Sequence, residues 1–131
     1  MNILTFEELE VWKQAKEIRK KFIIIVKSFP HSEVYNLADQ IRRASRSATS
    51  NIAEGYGRFH HQENIQFCRQ SRGSLYELID HLTSAFDEGY INEQIQSETK
   101  VEIYNCIKVL NGYIAYLKKA KKEATENKSS K

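Results

Sequence analysis

Between Gln40 and Leu78 the chain carries Gln40-Ile41-Arg42-Arg43-Ala44, then Asn51-Ile52-Ala53-Glu54-Gly55, then Gly73-Ser74-Leu75-Tyr76-Glu77-Leu78. Small, charged and apolar residues alternate there at helical spacing. Ala44, Ala48, Gly73 and Ser74 are small enough to let helix backbones approach closely. Val34, Leu37, Ile41, Ala44, Ala48 and Ile52 form one apolar stripe, and Ile65, Cys68, Leu75, Leu78 and Leu82 form a second. The stretch therefore predicts two long helices. The first starts near Ser32, a residue suited to an N-cap, and stops at Gly55 or Gly57, one of them in a left-handed conformation. The second runs from about His61 to about Asp87.

Working outward, Thr5-Phe6-Glu7-Glu8 has the form of a capping box. Behind it Val11, Ala15, Ile18, Phe22, Ile25 and Phe29 repeat at spacings of four and three, up to the single proline, Pro30. Phe22-Ile23-Ile24-Ile25-Val26 is apolar all round. A strand competes there because β-branched residues dominate, but the flanking periodicity favours helix. A helix apolar around its circumference needs cover on more than one side, which points to self-association. After a Gly89-Tyr90-Ile91-Asn92 turn with Asn92 as cap, Ile103, Ile107, Leu110, Ile114 and Leu117 mark a last helix that gives way to a lysine-rich end. Four helices joined by short loops imply an all-α fold, an antiparallel up-down four-helix bundle. The expected division is residues 1–117 as the bundle and 118–131 as a lysine-rich extension of the last helix and tail.

Composition narrows the function classes. The 131 residues carry a formal charge of +3, but Lys118–Lys131 alone holds six lysines against two glutamates, so the rest nets −1. A basic tail of this kind is more often a solubilising end than a binding arm. Cys68 and Cys106 lack CxxC spacing and sit on apolar stripes, as reduced core residues of a cytoplasmic protein do. No apolar run is long enough for a membrane span, and Met1 leads into polar sequence rather than a signal peptide.

Several segments together resemble a known family. They are Phe6-Glu7-Glu8-Leu9-Glu10-Val11-Trp12, Phe29-Pro30, Gln40-Ile41-Arg42-Arg43-Ala44, Ser50-Asn51-Ile52-Ala53-Glu54-Gly55, and Arg58, Glu63 and Phe67. Gly73-Ser74-Leu75-x-Glu77-Leu78 and Gly89-Tyr90-Ile91 complete the set. The chain resembles the small proteins encoded in intervening sequences of bacterial 23S ribosomal RNA genes, over most of its length. It departs where His60 stands for a common serine and Thr49 for a frequent proline. The resemblance implies a left-handed up-down bundle that assembles into a homo-oligomer, pentameric by family analogy. It also implies kinship with accessory proteins of diversity-generating retroelements, which form basic pentameric barrels engaging nucleic acid and a reverse transcriptase. It brings no enzymatic activity.

The arginines are the leading site candidates. From Asn36 to Leu75 there are six (Arg42, Arg43, Arg46, Arg58, Arg69 and Arg72) and no lysine. A planar guanidinium suits phosphate or a fixed carboxylate. One reading is a phosphate-tracking patch for RNA or another polyanion. The other is ion pairing with Glu54 and Glu77 within or between subunits, which makes the protein an interaction scaffold with no direct nucleic-acid contact. Asn51, Glu54 and Glu77 form the expected polar network, Glu77 buried by a close contact at Gly73-Ser74. Trp12, Ile23, Ile24, Tyr104 and Tyr113 are the expected oligomer interface. A dinuclear metal site needs paired Glu-x-x-His units, and Glu77-Asp80-His81 is a single acid/His cluster, so no metal or cofactor is expected. No nucleophile has an activating context, and no enzyme is expected.

Overall fold

The computed structural model describes residues 5–129. The Met1–Leu4 opening and the last two residues of the lysine-rich tail lie outside the described residues. Four α-helices carry the described residues: α1 Glu10–Ile25, α2 Leu37–Gly57, α3 His61–Asp87 and α4 Glu93–Ser129. Short 3-10 turns occupy Phe6–Glu8, Val26–Ser28 and His31–Glu33, and the described residues include no strand. The helices touch in cyclic order, α1 on α2, α2 on α3, α3 on α4, and α4 back on α1. Along the α2–α3 seam Ala48 meets Ser71 and Gly55 meets Asn64, and along the α3–α4 seam Asn64 meets Tyr113 and Arg72 meets Asn111. Both sets of pairs run in opposite chain directions.

The stripes read from the sequence are the core. Val11, Ala15, Ile18, Phe22 and Ile25 of α1 face Ile41, Ala44, Ala48 and Ile52 of α2, Leu75, Leu78 and Leu82 of α3, and Ile103, Leu110 and Leu117 of α4, all buried. Each fully buried leucine or isoleucine contributes roughly 1.5–3 kcal/mol. Phe22 and Ile25 lie inside α1 as helix, not strand, and Ile23 and Ile24 face outward. Phe29 is extended, as a residue before proline must be.

Several helix ends differ from the sequence reading. Thr5 makes no side-chain cap bond and α1 begins only at Glu10, because Phe6–Glu8 closes as a separate 3-10 turn. At the next connection Ser32 and Glu33 form a turn instead of capping α2, which starts at Leu37. Glu33 is drawn into tertiary structure: its carboxylate accepts from the Tyr90 hydroxyl at 2.8 Å, while the Phe29 and Tyr90 rings sit 5.2 Å apart. The loop before α2 is thus fastened to the loop before α4. Neither Gly55 nor Gly57 is left-handed; that role falls to Phe59, with φ 52°. His60 caps α3, its Nδ1 accepting from the Glu63 N–H at 3.3 Å, and Asn92 caps α4 by accepting from the Ile95 N–H at 2.8 Å. α4 runs on through the lysine-rich extension as far as Ser129.

The close helix contact also moves. Gly73 faces solvent, with open space where a Cβ would sit. Gly55 is the tight point: an added Cβ would lie 2.7 Å from Asn64 Oδ1 and 2.9 Å from Phe67 Cβ. Gly55→Ala is expected to lose about 1–3 kcal/mol by overpacking, whereas Gly73→Ala is expected to gain about 0.5–1 kcal/mol of helix propensity. Urea unfolding of the two variants checks both signs.

Candidate nucleic-acid interface

Arg19 and Ile23 share a face of α1, and Lys27, in the 3-10 turn that follows it, continues their four-residue spacing. Arg42 and Arg46 likewise share a face of α2. Where the helices pack, these faces flank a groove of about 440 Å³. The buried Phe22, Val26 and Ser45 supply its floor, Arg19, Ile23, Lys27, Arg42 and Arg46 its walls, and no carboxylate lines it. Arg19 is held in place by donating from Nη1 to Thr49 Oγ1 at 2.8 Å, and the Thr49 hydroxyl in turn donates to the Arg46 carbonyl. Arg42 reaches the Val34 carbonyl at 3.4 Å. Lys27 and Arg46 are exposed and form no ion pair among the described residues. Four cations sharing a groove without an acid leave a positive potential open to an anion.

The other arginines do not join them. Arg43 pairs with Asp39 at 3.0 Å on the exposed face of α2. Arg58 pairs with Glu54 at 2.9 Å and covers the Phe67 ring, its guanidinium carbon 5.1 Å from the centroid. Arg72 crosses to α4 and donates to Asn111 Oδ1 at 2.7 Å, and Arg69 is exposed on α3. Within the chain, then, Glu54 holds Arg58 rather than Arg43 or Arg72. Glu77 holds no arginine: it is exposed and meets His81 Nε2 at 3.0 Å, because α3 turns Gly73 to solvent and meets α2 through Ser71 and Ser74. Asn51 bonds back to the Ser47 carbonyl and hydroxyl, not to the glycine turn. Arg19 and Lys27 were missed; their spacing with Ile23 was the available signal.

On the opposite flank of α1 the charge reverses. Glu10, Glu17 and Glu102 line a groove of about 330 Å³ against α4, with Lys13, and Lys21 bridges it to Glu102 at 2.7 Å. The interface candidates divide. Ile23, Ile24 and Tyr104 are 50%, 68% and 50% exposed, free enough to be covered by another molecule. Trp12 is half-buried, edge-on to Phe6 at 5.2 Å with Lys16 over its ring. Tyr113 belongs to the core rim: its hydroxyl accepts from Asn64 Nδ2 at 3.2 Å, and burial is the main cause of its raised pKa. No cluster of three or more His, Cys, Asp or Glu suited to a metal occurs among the described residues, nor does any helix long and apolar enough to cross a membrane.

An all-helical, four-helix protein with a carboxylate-free basic groove is the class this geometry defines. The chain belongs to the 23S rRNA-intervening sequence protein family, whose model matches residues 7–112. Its structure is similar to that of a protein of unknown function from the S23 ribosomal protein family of Bacteroides thetaiotaomicron. The TM-score is 0.74 at 17% identity, over 80% of this chain and 95% of that one, a likeness of fold. No curated protein matches the sequence.

Burial pushes the thiols of Cys68 and Cys106 up to about 12. Their native pKa lies above the unfolded value, so the unfolded chain loses protons first as pH rises past about 9 and stability falls from there. A thiol reagent at pH 8 is expected to leave both cysteines unmodified in the native chain and to modify both in denaturant. Alkaline unfolding scans should show the loss of stability above pH 9.

Proposed function

We propose that this protein is a non-enzymatic RNA-binding member of its family, acting in the cytoplasm as a homo-oligomer and contacting phosphates through the α1–α2 groove. The observation that carries the reading is the groove itself, in which Arg19, Lys27, Arg42 and Arg46 meet with no carboxylate among its lining residues. Phosphate contacts position a nucleic acid without reading its bases, and identical subunits in one assembly multiply a weak contact into a useful one. The name of the solved relative's family, a ribosomal one, agrees with a ribosome-associated role. By family analogy the assembly is a pentamer, and exposed Ile24 and Tyr104, which lie outside the groove lining, are its candidate contacts.

Exposed apolar side chains also favour a second reading. Ile24 and Val101, 68% and 58% exposed, suit a scaffold whose partner is a protein. RNA titrations across a salt series, with mass measured by light scattering, separate the two. Arg42→Ala/Arg46→Ala is expected to weaken binding uniformly across RNA sequences and to reduce the salt slope by about 1 per lost phosphate contact, with the mass unchanged. Unchanged binding would sink the groove assignment, and absence of salt-sensitive RNA binding in the parent would leave the scaffold.

A further inference from the structure

The connection between α2 and α3 contains a residue that packing does not explain. Phe59 has φ 52°, a left-handed backbone that side chains other than glycine rarely adopt, yet its ring is 88% exposed. Its ring contact is with Tyr56, the ring centroids 6.2 Å apart. The core gains almost nothing from a phenyl group held in this way. Beside it is a cleft of about 240 Å³ between this connection and the far end of α4. His60, His61 and Gln62 form one wall and Lys121 and Lys128 the other, and no carboxylate lines the cleft. Lys121 is placed by donating to Gln62 Oε1 at 2.6 Å, while Lys128 has no ion-pair partner among the described residues.

We infer that this cleft is a second nucleic-acid site, which takes one nucleotide of a single strand with its base stacked on Phe59 and its phosphate held by Lys121 and Lys128. An exposed aromatic face beside cations is the pairing that single-stranded nucleic acid requires, because the ring accepts any base and the cations follow the backbone. A duplex hides its base faces and gains nothing from the ring. The cleft takes its ligand class from the RNA reading of the α1–α2 groove but uses none of the same residues. The two sites also lie along one helix. Arg46 and Gly57 are about 17 Å apart on α2. Ser50, Ala53 and Gly57, which share the helical face of Arg46, carry no charge that would repel a strand running between the sites.

The test titrates the full chain with a short fluorescein-labelled oligoadenylate and with the same strand paired to oligouridylate. Phe59→Gly relieves the backbone and removes the ring, so its melting temperature should stay level or rise while single-strand affinity falls about 5- to 100-fold and duplex affinity holds. Phe59→Trp in a Trp12→Phe background should keep single-strand affinity, with tryptophan emission quenched on binding. A folded Phe59→Gly variant that binds the single strand as tightly as the parent overturns the inference. Lys121→Ala/Lys128→Ala probes the cleft without touching the turn: weaker binding supports the site, unchanged binding removes it. Loss of binding in Arg42→Ala/Arg46→Ala alone would uphold the groove and discard the cleft. A parent that binds neither strand would end both readings.

Discussion

The contact between α2 and α3 sets the spacing from which the remaining helices take their positions. It is made by backbone as much as by side chains. Ser71 Oγ donates to the Ala48 carbonyl at 2.7 Å, and Gly55 sits against Asn64 and Phe67 with no room for a methyl group. A hydroxyl buried between helices needs a partner, and a helical carbonyl whose i+4 bond is intact can still accept a second one. The bond lets a serine occupy the core without an unsatisfied group, and it draws the two helices to a distance that small residues alone permit. Leu75 and Leu78, displaced from that seam by one and two turns, are then free to fill the space toward α1 and α4.

Charge follows from the same arrangement. Since α2 gives its small face to α3, its Arg42–Arg46 edge is left beside α1, where Arg19 and Lys27 arrive from the other side. α1 divides two grooves of opposite sign, basic toward α2 and acidic toward α4. The chain's near-neutral bundle is therefore a cancellation between separated surfaces, and its net charge says little about what either surface attracts.

Much of the fold was legible because periodicity is a local property that burial converts directly into structure. The extent of α3 and the apolar stripes of all four helices follow from spacing, and the Asn92 cap from its side chain at a turn. The misread features depend on distant neighbours. Ser32-Glu33 has the chemistry of a helix start, but Tyr90 claims Glu33 from across the molecule. Gly73 and Gly55 look equivalent as glycines. Their phase against the apolar stripe separates them: Gly55 continues Ala48 and Ile52, and Gly73 falls opposite Ser71 and Leu75. The groove was half-legible, since Arg42 and Arg46 stand out in α2, whereas Arg19 and Lys27 look like ordinary solvent-facing cations until α1 is laid beside α2.

The two ends of the bundle are held unequally. At one end the loops before α2 and α4 are joined by Tyr90, through a hydroxyl–carboxylate bond and a ring contact. At the other, residues 118–128 are exposed apart from the partly covered Ala120, and Lys121 ties the segment back to Gln62, so helix propensity more than burial maintains its turns. Backbone amides there are expected to exchange with water through local fraying, and those near Tyr90 through a larger opening. Opening is thus expected to start from one end, and the cations of the α4 extension sit on the segment with the least buried surface.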